Sequence, residues 1–135
     1  MKRILYLNLF IVLAFSIYSC SKTTMEGIWE DNIKLSTKSA EFSALGDSIT
    51  IKTGGDWWWI SDISVDNKWY YDFQLINIES NSYSIKLDCL VIERRDKNTL
   101  FIKVDSNPLN AKRIITVGLE AGDYFDRVTI TQKPK

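Results

Sequence analysis

Short runs of alternating apolar and polar residues, separated by turn residues, most constrain the fold of this chain. In residues 48–53, for example, Ile49 and Ile51 would share one face. Such alternation is typical of a strand with one buried face, because successive side chains point to opposite sides. Similar runs recur roughly every 8–12 residues, and no sustained helical period follows Ile33. The pattern predicts an all-β sandwich of about seven or eight antiparallel strands.

The apolar positions of the later runs predict which residues form the core. One strand would turn Tyr83, Ile85, Leu87, Cys89 and Val91 inward, which makes Cys89 a buried thiol, with a reactive exported thiol as the alternative. At Leu90 and Ile92 the positions of the opposite phase are also apolar, so a bulge or burial on both faces is expected there. The remaining inward positions are expected to be Leu100, Ile102, Val104, Ile115, Val117, Leu119, Val128 and Ile130.

The first twenty residues carry the features of an export signal. Two basic residues precede an apolar run over residues 4–15, which is shorter than the roughly 20 residues that a membrane-spanning helix needs. Ile17-Tyr18-Ser19-Cys20 then resembles a bacterial lipobox, with cleavage after Ser19 and lipid attachment at Cys20. An ordinary cleaved signal followed by a chance cysteine is the alternative.

This interpretation divides the chain into three parts. A lipoprotein signal peptide spans residues 1–19, a tether spans residues 20–32, and one β-sandwich domain spans residues 33–135. The expected location is the cell envelope, with the lipid on Cys20 in the outer membrane. Cell surface and periplasmic face both stay open, because Ser21-Lys22-Thr23-Thr24 lacks the acidic run that surface-exported lipoproteins tend to carry.

Composition argues against several classes of function. The chain has 17 basic and 17 acidic residues and no basic stripe, so a nucleic-acid partner is not expected. It has no histidine, which excludes Ser-His-Asp and Cys-His catalysis and any zinc site with histidine ligands. We therefore expect a protein that is not an enzyme and that has no catalytic residues, metal or cofactor.

Two aromatic clusters are the candidate ligand-binding residues. Trp57-Trp58-Trp59 and Trp69-Tyr70-Tyr71 lie on either side of a predicted turn at residues 66–68, so a hairpin would bring them together. Aromatic rings can stack on the apolar faces of sugars. Trp57 and Trp59 share a phase with Ile63 and Val65 and are expected in the core, which leaves Trp58 exposed. The candidates are Trp58, Trp69, Tyr70 and Tyr71.

Residues 35–132 resemble a BACON domain, an immunoglobulin-like β-sandwich of exported Bacteroidetes-type proteins. The resemblance rests on an early strand, a glycine-rich turn before tryptophans, an arginine that opens a strand, and a last strand that closes on glutamine. These pieces are residues 48–53, Gly54-Gly55-Asp56-Trp57-Trp58-Trp59, Arg113-Ile114-Ile115-Thr116-Val117 and Val128-Thr129-Ile130-Thr131-Gln132. The chain departs from the family at Cys89-Leu90, where a tryptophan is usual, and in an insertion over residues 69–82.

The resemblance implies a non-catalytic accessory role, with a proposed function in carbohydrate binding. Two hypotheses follow. The first is a membrane-anchored lipoprotein that binds glycans through the aromatic hairpin. The second is a structural or protein-interaction module at the cell envelope without affinity for carbohydrate. Exposure of the aromatic residues discriminates between them, because a contiguous exposed aromatic face favours a ligand.

Overall fold

The computed structural model describes residues 30–135, which form nine strands. The lipobox and Cys20 lie outside the described residues. None of the described residues belongs to a helix that could span a membrane. The strands are β1 (Ser39–Phe42), β2 (Asp47–Lys52), β3 (Trp59–Val65), β4 (Lys68–Tyr70), β5 (Tyr83–Leu87), β6 (Leu90–Asp96), β7 (Thr99–Val104), β8 (Arg113–Ala121) and β9 (Tyr124–Gln132).

The strands form two sheets, which confirms the predicted all-β sandwich. The five-stranded sheet has the order β1-β9-β8-β3-β4, and the four-stranded sheet has the order β2-β7-β6-β5. Neighbouring strands are antiparallel except for β1 and β9, which run parallel. Nine strands exceed the seven or eight expected, partly because the run that begins at Tyr83 contains two strands.

The position of Cys89 differs from the prediction. Asp88 and Cys89 form a two-residue turn between β5 and β6, where Leu87 pairs with Leu90. The chain reverses at this point, so the change of apolar phase marks a hairpin and not a bulge or a strand buried on both faces. Cys89 is therefore only partly buried at the edge of the core, and the expectation of a fully buried strand position was wrong.

The core between the sheets contains the inward residues predicted for the last three strands. Each of them is at most 1% exposed: Leu100, Ile102 and Val104 on β7, Ile115, Val117 and Leu119 on β8, and Val128 and Ile130 on β9. On β2, Ile51 is buried and Ile49 packs against the core from a partly exposed position. Strict alternation was sufficient to predict these faces, because a strand without a bulge keeps its phase throughout.

The tryptophan phase predicted for β3 is wrong. Trp58 is 1% exposed and belongs to the core, whereas Trp57 is 68% exposed. The pairing of β3 with β8 shifts between Ile60 and Asp62, which is the signature of a β-bulge. The bulge reverses the alternation, so Ile60 faces the core before it and Ile63 faces the core after it. Extrapolating backwards from Ile63 therefore placed each tryptophan on the wrong face.

Trp58 anchors this end of the core through polar contacts as well as packing. Its indole Nε1 donates to the carbonyl oxygen of Lys97 at 2.9 Å and to Oγ1 of Thr53 at 3.0 Å. The guanidinium carbon of Arg94 lies 4.5 Å from the centre of the Trp58 ring, and Nη2 of Arg94 donates to the carbonyl of Asp56 at 2.7 Å. Burial lowers the pKa of Arg94, as expected for a desolvated cation.

The β3–β4 hairpin confirms the tight turn predicted at residues 66–68. Val65 pairs with Lys68, and Asp66 and Asn67 both have positive φ, as a type I′ turn requires. The return strand β4 is short and ends at Tyr70. Residues 71–82 then leave the sheet and cross towards β5.

Candidate ligand-binding face

The outward surface of the five-stranded sheet, called the outer face below, brings exposed aromatic and polar side chains together. Directly paired residues on neighbouring strands point to the same side, so they form rows across β3, β8 and β9. One row is Trp59–Glu120–Phe125, the next is Asp62–Gly118–Arg127, and the third is Ser64–Thr116–Thr129, with Trp69 of β4 beside Ser64.

A hollow of about 420 Å³ opens between the outer face and residues 71–82. It falls within the range of roughly 300–1,000 Å³ that is typical of small-ligand sites. Three aromatic rings and several polar groups border it, together with apolar side chains from residues 71–82. The lining residues are Trp59, Ser61, Tyr71, Asp72, Phe73, Gln74, Ile76, Ile78 and Glu120. We call this feature the hollow.

Two of the aromatic rings that line the hollow, Trp59 and Tyr71, each contact a further ring that is exposed. Trp59 meets Trp57 edge to face, with ring centroids 5.6 Å apart and an interplanar angle of 78°. Tyr71 lies parallel to Trp69, with centroids 5.8 Å apart and an angle of 5°. Both separations are within the range at which aromatic pairs attract one another. The two pairs therefore hold Trp59 and Tyr71 in defined orientations.

The four predicted binding residues have three different environments. Trp69 and Tyr71 are 43% and 65% exposed and belong to the outer face. Tyr70 pairs with Ile63, packs against the core and has the ammonium of Lys68 5.1 Å from its ring centre. Trp58 is buried, so the expectation that it is the exposed tryptophan was wrong. The structure brings together only Trp69 and Tyr71 of the predicted set.

Sequence reasoning missed most of the residues around the hollow. Trp57 and Trp59 had been expected in the core, and Glu120 and Phe125 had not been considered. One signal could have exposed the error in β3. The predicted phase would turn apolar Ile60 outward and polar Ser61 inward, a conflict that a bulge at Ser61 resolves.

The hollow has acidic hydrogen-bond acceptors and no basic group in its lining. Glu120 and Asp72 contribute carboxylates, and Gln74 contributes an amide. Oδ1 of Asp72 accepts the backbone N–H of Gln74 at 3.1 Å, which fixes the start of the loop. Residues 30–135 contain no group of three or more ligating side chains that could hold a metal ion. The arrangement can stack against a flat apolar surface and accept hydrogen bonds from hydroxyl groups.

Asp62 and Gly118 approach each other closely on the part of the outer face that lies beside the hollow. The two residues are paired across β3 and β8, and a Cβ atom at position 118 would collide with the Asp62 carboxylate. Oγ of Ser61 donates to Oδ2 of Asp62 at 2.9 Å, while Oδ1 is buried without a hydrogen-bond partner in the described part of the chain. Because Gly118 has no Cβ atom, the Asp62 carboxylate of the bulged strand β3 can lie against β8.

The bulge is also supported from the other sheet. Because β4 ends at Tyr70, it does not reach Ile60, and the hydroxyl of Tyr83 accepts the backbone N–H of Ile60 at 2.9 Å. Burial raises the pKa of Tyr83, while the hydrogen bond from Ile60 and the charge of Arg94 oppose that rise. The neutral phenol is thus a hydrogen-bond partner of the backbone at Ile60, the residue next to Trp59.

One solved structure with a similar fold agrees with the sandwich architecture. The NMR structure of a protein from Bacteroides thetaiotaomicron covers 86% of this chain and 98% of its own length, with a TM-score of 0.63 and 24% identity. A GH5 xyloglucanase from Bacteroides ovatus, solved with a XXXG heptasaccharide, covers 73% of this chain and 17% of its own length, with a TM-score of 0.44 and 23% identity. No protein-family model and no curated protein matches the sequence. The similarity to the Bacteroides thetaiotaomicron protein shows a shared fold and nothing about function.

Proposed function

We propose that this chain is a non-catalytic glycan-binding domain and that the hollow on the outer face is its binding site. The observation that carries the proposal is the partly exposed ring of Trp59 and the exposed ring of Tyr71, which both line a hollow that is also lined by Glu120 and Asp72. Rings of this kind stack on the apolar faces of pyranoses, and carboxylates accept hydroxyl hydrogen bonds. Few other ligands combine a flat apolar face with a rim of hydroxyl donors.

The charge of the lining supports an uncharged glycan over an acidic one. Two carboxylates border the hollow and its lining includes no lysine or arginine. A uronic acid in the same space would place like charges a few ångströms apart, and such pairs repel most where water is partly excluded. Neutral sugars offer the hydroxyl donors without that repulsion.

Binding can be tested with the described domain by retention on native gels that contain soluble polysaccharides. The panel should include neutral β-glucan, mannan, xylan and galactan, with polygalacturonic acid as the acidic counterpart. We expect retention on at least one neutral polymer. Trp59→Ala and Tyr71→Ala should each lower that affinity at least tenfold, because a few aromatic anchors dominate such interfaces.

Phe101→Ala is the matched control for these variants. Phe101 lies on the outward surface of the four-stranded sheet, with the Arg95 guanidinium carbon 3.5 Å from its ring centre. Removing an aromatic ring from that sheet should leave polysaccharide retention unchanged. A wild-type protein that is retained by no polysaccharide in the panel would refute the proposed function.

A protein-interaction module is the second candidate, and a different surface favours it. An apolar groove of about 360 Å³ lies between residues 70–76 and β5, and the fully exposed Leu75 stands at its rim. Apolar side chains that are exposed in this way often mark contacts with another protein. Loss of partner binding in Leu75→Ser, with Trp59→Ala unaffected, would favour this function over glycan binding.

We also propose the finer assignments that the sequence suggested. The chain would be a BACON-like, immunoglobulin-like domain of an outer-membrane lipoprotein, anchored by a lipid on Cys20. What supports this is the order of the sequence pieces from residue 48 to Gln132 together with the lipobox-like Ile17-Tyr18-Ser19-Cys20. The parallel pairing of β1 with β9, beside an otherwise antiparallel sandwich, is compatible with the immunoglobulin-like arrangement.

A further inference from the structure

We infer that Phe125 is a second stacking site and that the ligand is an extended, β-linked neutral glycan that crosses the strands from the hollow to Phe125. This inference rests on the proposed function and adds the direction and the shape of the ligand. Phe125 is 61% exposed and lies outside the lining of the hollow. Because most of the ring lies in solvent, it is free to contact a ligand.

The register of the sheet places Phe125 in line with the hollow. Trp59 of β3 pairs with Glu120 of β8, and Glu120 pairs with Phe125 of β9. These three side chains therefore point from one face and form a row perpendicular to the strands. The row begins with a ring that lines the hollow, passes a carboxylate that also lines it, and ends on the second ring.

The spacing of the row matches two sugar units of an extended chain. Neighbouring strands lie about 4.8 Å apart, so Trp59 and Phe125, with β8 between them, are separated by about 10 Å at their backbones. An extended β-linked chain of pyranoses advances by about the same distance over two units, and every second ring then presents the same face to the protein. Glu120 lies midway, where it can accept hydrogen bonds from the intervening sugar.

The outer face restricts the shape of the ligand as well as the distance between its sugar units. The side chains of the row stand on adjacent paired strands, and β1 pairs with β9 only from Thr129 onward, so within the described residues no strand pairs with β9 on the far side of Phe125. A helical or strongly bent chain that contacts Trp59 would leave this surface before it reaches Phe125. An extended chain stays in contact along the row.

Isothermal titration with defined oligosaccharides tests the inference. The probes are trisaccharides and hexasaccharides of the β-linked glucose, mannose and xylose series. For at least one series, the wild-type protein should bind the hexasaccharide at least tenfold more tightly than the trisaccharide. Phe125→Ala should remove most of that gain and leave trisaccharide binding unchanged, whereas Trp59→Ala should weaken both. Phe125→Tyr should retain the gain, since it keeps an aromatic face.

Phe101→Ala controls for the general effect of removing a partly exposed aromatic ring from the other sheet and should change neither affinity. Thermal unfolding of Phe125→Ala should match the wild type, because the ring is mostly in solvent. Hexasaccharide binding that is insensitive to Phe125→Ala would overturn this inference and leave glycan binding intact. Absence of any glycan binding would instead overturn the proposed function, and this inference with it.

Discussion

At the residue scale, the three consecutive tryptophans have three distinct roles. Trp58 lies in the core and donates its indole N–H to the Lys97 carbonyl. Trp59 lines the hollow, and the exposed ring of Trp57 packs edge to face against it. Their side chains are chemically identical, so only their positions relative to the bulge separate these roles. Substitutions at the three positions should therefore have different consequences for stability.

We predict that Trp58→Ala lowers the free energy of unfolding by roughly 3–5 kcal/mol, as truncation of a buried aromatic residue does. It would also remove the ring on which the Arg94 guanidinium lies. Trp57→Ala should change stability by less than about 1 kcal/mol, because an exposed ring contributes little burial. Urea denaturation of the two variants measures both effects. Equal losses of stability would contradict the environments assigned to the two side chains.

A second residue-scale prediction concerns acid stability. Hydrogen bonds from the N–H of Asn98 and the hydroxyl of Thr99 hold the pKa of Asp96 below its ordinary value of 3.8. A carboxylate with a lowered pKa in the folded state stabilises the fold above about pH 4, and that contribution disappears as pH falls through the lowered pKa. Asp96→Asn should reduce the fall in stability between about pH 5 and pH 2. Denaturation midpoints across that range, with exposed Asp88→Asn as the control, test this expectation.

At the scale of elements, the β3–β4 hairpin determines where Trp69 and Tyr71 meet the outer face. Its turn residues Asp66 and Asn67 have φ values of 48° and 67°. Oδ1 of Asp66 accepts the backbone N–H of Ile114 at 2.7 Å, which ties the turn to β8. The hairpin is thus fixed both by its own backbone conformation and by the neighbouring strand.

Substitution of Asn67 tests this account of the turn. Asn67→Val should destabilise the protein by roughly 1–2 kcal/mol, because a β-branched residue is strained at positive φ. Asn67→Gly should be neutral or slightly stabilising, since glycine adopts this conformation without a steric penalty. Chemical denaturation compares the two. A valine variant as stable as the glycine variant would show that residue 67 does not need positive φ.

At the scale of the whole molecule, the C-terminal strand closes the sandwich through a buried polar cluster. Nε2 of Gln132 donates to the carbonyls of Asp105 and Ser43 at 2.9 and 3.3 Å, and its Oε1 accepts from Nη1 of Arg113 at 2.9 Å. The Gln132 side chain thereby forms hydrogen bonds with backbone carbonyls in loops that connect to both sheets. The Arg113 and Gln132 that contributed to the family resemblance thus have a structural role in this fold.

The proposed membrane anchor gives a prediction at the same scale. Cys20→Ser should move the full-length protein from membrane fractions to soluble fractions, because the lipid would have no attachment site. Fractionation followed by immunoblotting measures the result. Cys89→Ser is the control and should stay in the membrane fraction. If Cys20→Ser stays there as well, the proposed anchor is excluded.

The sequence by itself determined the all-β class and the inward faces of the regular strands. Leu100, Ile102 and Val104 illustrate why, because alternation along an unbroken strand depends only on local backbone geometry. It also determined the Asp66-Asn67 turn, whose positive φ values suit those residue types. The lipid attachment and the BACON resemblance remain predictions from the sequence.

The tertiary structure alone decided which aromatic residues form the site. The bulge at Ser61 arises from the pairing of β3 with β8 and from the space left by Gly118, neither of which is visible in the β3 sequence. It moved Trp59 to the outer face and Trp58 into the core. Likewise, Glu120 and Phe125 join Trp59 only through the register of strands that are distant in sequence. A site built across strands depends on long-range pairing, whereas the face of a single strand depends on local alternation.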